Sequence, residues 1–94
     1  MIDEIYRELK EMHLCRSGNR FSLDWLHMNE SYYRTLKAKN LTPSVKVIAR
    51  CGMKLRSTAM YLAASEHDVI RSRSQRLNEL GQQCIDEALK LSVY

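Results

Sequence analysis

The stretch Leu26-His27-Met28-Asn29-Glu30-Ser31-Tyr32-Tyr33-Arg34-Thr35-Leu36 decides how this chain reads. Leu26 and Met28 can flank a tight turn, and Asn29 can cap the helix that follows. On a helix from Glu30 to Lys39, Tyr33 and Leu36 share an inward face and leave Glu30, Ser31, Arg34 and Lys37 outside. Upstream, a short helix containing Trp25 and Leu26 is expected, capped by Asn19 or Ser22. The stretch therefore predicts two short helices joined by a turn, with the second presenting a polar, basic face.

Further out, the same periodicity continues. Ile2, Ile5, Tyr6, Leu9 and Met12 recur at steps of three and four, the spacing of one helical face. Arg16-Ser17-Gly18-Asn19 breaks that pattern, and Gly18 is free to take a positive φ there. After Asn40-Leu41, Thr42 can cap and Pro43 fits a first helical position. Val45, Ile48, Gly52, Leu55, Ala59 and Leu62 then form a narrow stripe with small residues, which lets a neighbouring helix come close. A last helix is expected from about Glu66 to Leu91, started by the capping-box-like Ser65-Glu66-His67-Asp68. Ile70, Leu77, Leu80, Cys84, Ala88 and Leu91 give it a heptad-like seam, a candidate dimerisation surface; packing over the first helix is the alternative. The fold expected is all-α, about five helices in a single domain over 1–94. Residues 1–64 form its core, and residues 65–94 are a C-terminal helical extension.

Composition agrees. A chain of 94 residues allows one small domain and excludes a multi-domain enzyme. Three glycines and one proline argue against a turn-rich β architecture. The net charge of +4 is unevenly placed: residues 1–30 carry −2, residues 66–94 carry −1, and no Asp or Glu occurs from Ser31 to Ser65. That middle stretch holds Arg34, Lys37, Lys39, Lys46, Arg50, Lys54 and Arg56, a candidate footprint for a polyanion. Cys15, Cys51 and Cys84 form no CxxC pair and suggest reduced thiols in a cytoplasmic protein. No membrane partner is expected, because no apolar run approaches the roughly 20 residues of a membrane span.

With these residues in view, the chain resembles the Cro and lambda-repressor type of helix-turn-helix domain over roughly residues 2–57. The likeness rests on Leu26-His27-Met28-Asn29 at the turn and on Leu41-Thr42-Pro43-Ser44 before the apolar Val45, Ile48, Ala49 and Leu55. The chain is also similar to small proteins of bacterial plasmids and mobile elements. Two positions depart from the family pattern: His27 stands for the turn glycine, and Leu23 for a small alanine. The resemblance implies sequence-specific binding of double-stranded DNA, as a small transcriptional regulator or mobile-element accessory factor. The third helix would enter the major groove, with Asn29, Glu30, Ser31, Tyr32 and Arg34 at base edges. Arg34 suits guanine and Glu30 suits cytosine N4, while Lys37, Lys39, Lys46 and Arg50, with Arg20, suit phosphate. Two copies would read half-sites roughly 34–36 Å apart, so a homodimer is expected.

Other chemistry is weakly represented. His13 and Cys15 lack two further ligands for a metal site, and there is no phosphate loop or nucleophile motif. No enzymatic activity, catalytic residue, metal or cofactor is expected. The rival reading is a protein-interaction module, an inhibitor or antiactivator on a helix-turn-helix-like scaffold. RNA binding by the basic surface lacks the aromatic platform that single strands use.

Overall fold

The computed structural model describes residues 1–92 and, among them, is all-α. Helix α1 spans Ile2–Glu11 and α2 spans Gly18–Arg20, running on into a π-helical turn at Phe21–Trp25. Then come α3 at Tyr32–Ala38, α4 at Val45–Ala63 and α5 at Asp68–Ser92. The chain divides into two compact units, at Met1–Pro43 and from Ser44 onward. The expected core at 1–64 with an extension at 65–94 assigns α4 and α5 to different parts, whereas α4 packs along α5 within the second unit. Residues 93–94 of the expected extension lie outside the described residues.

In the first unit, α1 buries Ile2, Ile5 and Leu9, with Asp3 and Glu4 at its positive end. His13 ends it, at φ 60°, in place of Gly18. The His13 N–H donates to the Lys10 carbonyl at 3.0 Å and the Leu14 N–H to the Leu9 carbonyl at 2.9 Å, a Schellman pattern. Gly18 instead opens the second helix, where a Cβ would lie 3.2 Å from the Tyr33 ring. The cap of that helix is Ser17, whose Oγ accepts the Arg20 N–H at 3.2 Å, and neither Asn19 nor Ser22 serves.

Three rings form the heart of this unit. Tyr6, Phe21 and Tyr33 have centroids 4.9–5.2 Å apart, and Phe21 meets Tyr33 nearly edge-on at 84°. Each such pair contributes about 0.5–1.5 kcal/mol beyond its area burial. The cluster ties α1, the π turn and α3 together.

In the second unit, α4 and α5 lie side by side. Ser44 caps α4, its Oγ accepting the Val47 N–H at 3.3 Å, so Thr42 is not the cap and Pro43 sits just outside the helix. Val47, Ile48, Cys51, Gly52, Leu55 and Ala59 are buried on α4, facing Ser74, Leu77, Leu80, Gly81, Cys84 and Ala88 on α5. The heptad-like seam is thus largely covered within one chain: Leu77, Leu80, Cys84 and Ala88 are buried, Ile70 is half-buried, and Leu91 is exposed. Four of the six residues expected to meet a second copy are already covered in a single chain, where α4 lies along α5. Two glycines make the close approach possible, since a Cβ on Gly52 would lie 3.0 Å from the Gly81 carbonyl oxygen and 2.9 Å from the Cys84 Cβ. Cys51 and Cys84 share a hydrogen bond there, and this contact together with burial pushes the Cys51 thiol up, so it stays protonated.

Candidate nucleic-acid interface

The turn before α3 is built from its residues in a definite order. Leu26 is fully buried and ends the π turn, its N–H donating to the Phe21 carbonyl at 3.1 Å. The next residue, His27, takes φ 56°, the left-handed conformation that glycine adopts most easily. The Met28 N–H then reaches back to the Ser22 carbonyl at 2.9 Å, one residue further than in an ordinary helix end. The π turn explains the extra residue. Asn29 closes the approach through Oδ1, which accepts the Ser31 N–H at 3.1 Å and the Ser31 hydroxyl at 2.9 Å. Asn29 therefore stabilises a side-chain turn ahead of the helix, and α3 begins at Tyr32 instead of Glu30.

A single buried hydroxyl joins the two helices. Ser22 is fully buried; its Oγ accepts the Tyr33 N–H at 3.0 Å and donates to the Gly18 carbonyl at 3.0 Å. One orphan donor of the α3 N-terminus is satisfied in this way. Leu23 is exposed, so its bulk does not separate the helices; Ser22 is the small residue between them.

Tyr33 and Leu36 are buried, as the periodicity requires, and they orient α3. Asn29, Glu30, Arg34, Lys37 and Lys39 are exposed, and Ser31 and Tyr32 are half-buried. Ser31, Arg34, Thr35 and Ala38 fall at the spacing of one helical face. Thr35 and Ala38 were absent from the sequence-derived set, although their spacing from Ser31 could have found them. Three short side chains thus surround one long guanidinium on this face. Lys37 stands at its edge, with Nζ 3.7 Å from Asp3 Oδ1 and 5.7 Å from the Tyr33 ring centroid. The Tyr33 hydroxyl donates to the same carboxylate at 2.5 Å, and burial with this contact pushes the phenol well above its usual range. Lys46 and Arg50 belong to the second unit, on α4, where Lys46 is exposed and Arg50 is half-buried.

A shallow open groove elsewhere in the first unit is lined by His13, Leu14, Cys15, Arg16, Arg20 and Asp24. Two of its charges are engaged with each other, Arg20 donating to Asp24 at 2.9 and 3.1 Å. The Cys15 thiol donates to the Ser17 carbonyl, and burial pushes it up, away from the thiolate a nucleophile needs. Among the described residues, no group of three or more His, Cys, Asp or Glu side chains is placed to hold a metal ion. None of their helices is long and apolar enough to cross a membrane.

Residues 2–93 match a protein family described as a family of unknown function (DUF6626). No curated protein and no solved structure matches the chain.

Proposed function

The chain belongs to that family, and we propose that it is a sequence-specific, non-enzymatic double-stranded DNA-binding protein of the cytoplasm, a small transcriptional regulator or mobile-element accessory factor. The observation that carries this reading is the outward face of α3. It presents Arg34 among the short side chains of Ser31, Thr35 and Ala38, on a helix anchored by the Ser22–Tyr33 hydrogen bond. A guanidinium so placed can fork onto the O6 and N7 of a guanine, and small polar neighbours allow close approach. Lys39 lies beside this face and suits phosphate, as does Lys37 once Asp3 releases it. Asn29 and Glu30 sit at the leading end, where a recognition helix meets base edges, and Glu30 can accept from cytosine N4. A homodimer fits a palindromic site. With Leu77, Leu80 and Cys84 covered inside each chain, such a dimer uses surface other than that seam.

Selection of bound sequences from a random duplex library tests binding and specificity together. A defined consensus is expected, and failure to enrich any sequence at low salt overturns the reading. Arg34→Ala should cost about 1–3 kcal/mol and relax the preference at one base pair. An unchanged consensus in that variant removes Arg34 from the reading role.

A further inference from the structure

Helix α4 has a second face that the hairpin does not use. Met53, Met60 and Tyr61 are 63%, 77% and 81% exposed on it. Lys46 is exposed on the same side and Arg56 at its edge, where the Arg56 stem passes over Gly81 of α5, and the helix carries no Asp or Glu from end to end. Met53 and Met60 are two helical turns apart, about 10 Å along the axis. Side chains this large and this exposed are ordinary when scattered; aligned on one face and bordered by cations, they make a surface of defined chemistry.

We propose that this face of α4 docks an acidic amphipathic helix of a partner protein. Its apolar anchors, two turns apart, would cover Met53, Met60 and Tyr61, and its flanking carboxylates would meet Lys46 and Arg56. Methionine suits the role because its unbranched, polarisable side chain adapts to the shape of an incoming helix. The charge selects the partner. A second copy docked symmetrically would set two faces that carry cations and no carboxylate against each other, and an asymmetric contact with α5 would leave an open chain of copies. A lipid surface calls for Trp, Phe or Leu on the inserted face, and α4 offers none of these there. A duplex would engage the cations and leave three large apolar side chains unburied. The proposal is independent of DNA reading by α3, which uses different residues.

The test uses the full chain and a fluorescein-labelled synthetic helical peptide with leucines two turns apart on one face and glutamates along its flanks. A scrambled peptide of the same composition is the control, read by fluorescence anisotropy. The patterned peptide should bind, and Met60→Glu and Arg56→Glu should each weaken it tenfold or more while helical circular dichroism is retained. A peptide with lysines replacing the glutamates should recover binding to Arg56→Glu. Should Met60→Glu lose helical signal, Tyr61→Glu, at the more exposed position, replaces it. Equal binding of the scrambled peptide overturns the proposal, as does no effect of either substitution. Failure of the patterned peptide also overturns it, and Met60-dependent binding of phosphatidylglycerol vesicles or of a short duplex would then assign the face to lipid or nucleic acid.

Discussion

His13, His27 and Asn40 hold φ at 60°, 56° and 52°, and the three glycines hold none of the positive values. A non-glycine residue in this conformation costs roughly 1–2 kcal/mol. His27→Gly removes that strain and adds some chain entropy to the unfolded state, so a net gain of about 0.5–1 kcal/mol is expected. A higher urea midpoint at unchanged m-value is the readout, and a lower midpoint would show that the His27 side chain itself holds the turn. Tyr33 gives a pH dependence of definite sign. Its phenol is raised above the ordinary value of about 10, so its contribution is complete below that pH and is lost as pH rises through the folded value. Stability should fall above about pH 10 more steeply in the native chain than in Tyr33→Phe, as measured by urea titration. Local spacing was enough to show that Tyr33 and Leu36 turn inward. It was not enough to assign Gly18, whose partner Tyr33 lies far along the chain; the need there is for space beside a ring, which no neighbour in the sequence signals.

At the scale of elements, the helices were legible and their partners were not. Periodicity reveals that a face is apolar without revealing what covers it: on spacing the α5 seam suits a second copy or α1, and the structure lays α4 along it. What distinguishes α4 is its own small-residue stripe, in which Gly52 lies against Gly81. Gly52→Ala should therefore destabilise by about 1–3 kcal/mol, although alanine is the better helix former by roughly 1 kcal/mol, because its Cβ meets the Cys84 Cβ and the Gly81 carbonyl. Thermal unfolding followed by circular dichroism checks this, and an increase in Tm would mean that the two helices separate at little cost. The ends of elements were the least readable. Ser17 and Ser44 cap where Asn19 or Ser22 and Thr42 were expected, because several neighbouring residues could each supply an oxygen and packing chooses among them.

Over the whole molecule, the acid-free stretch behind the net charge of +4 places its seven cations on or beside α3 and on α4, in two compact units, each with its own chemistry. α3 offers cations among short side chains; α4 offers them around methionines. If α3 binds duplex DNA through Arg34, Lys39 and one or two further cations, the logarithm of affinity should fall against the logarithm of salt with a slope of about −2 to −4. A slope near zero would separate the charge of this stretch from phosphate altogether. The meeting of Gly52 with Gly81 also acts as a key. Sliding α5 by one turn would bring Leu77 or Ile85 opposite Gly52, where clearance to the facing backbone oxygen is only 3.0 Å. The hairpin accordingly has one alignment, enforced at its middle and not by the connection at Ala64–His67. That connection can vary in length and composition without shifting α5 along α4, which makes it the place where this fold can absorb insertions.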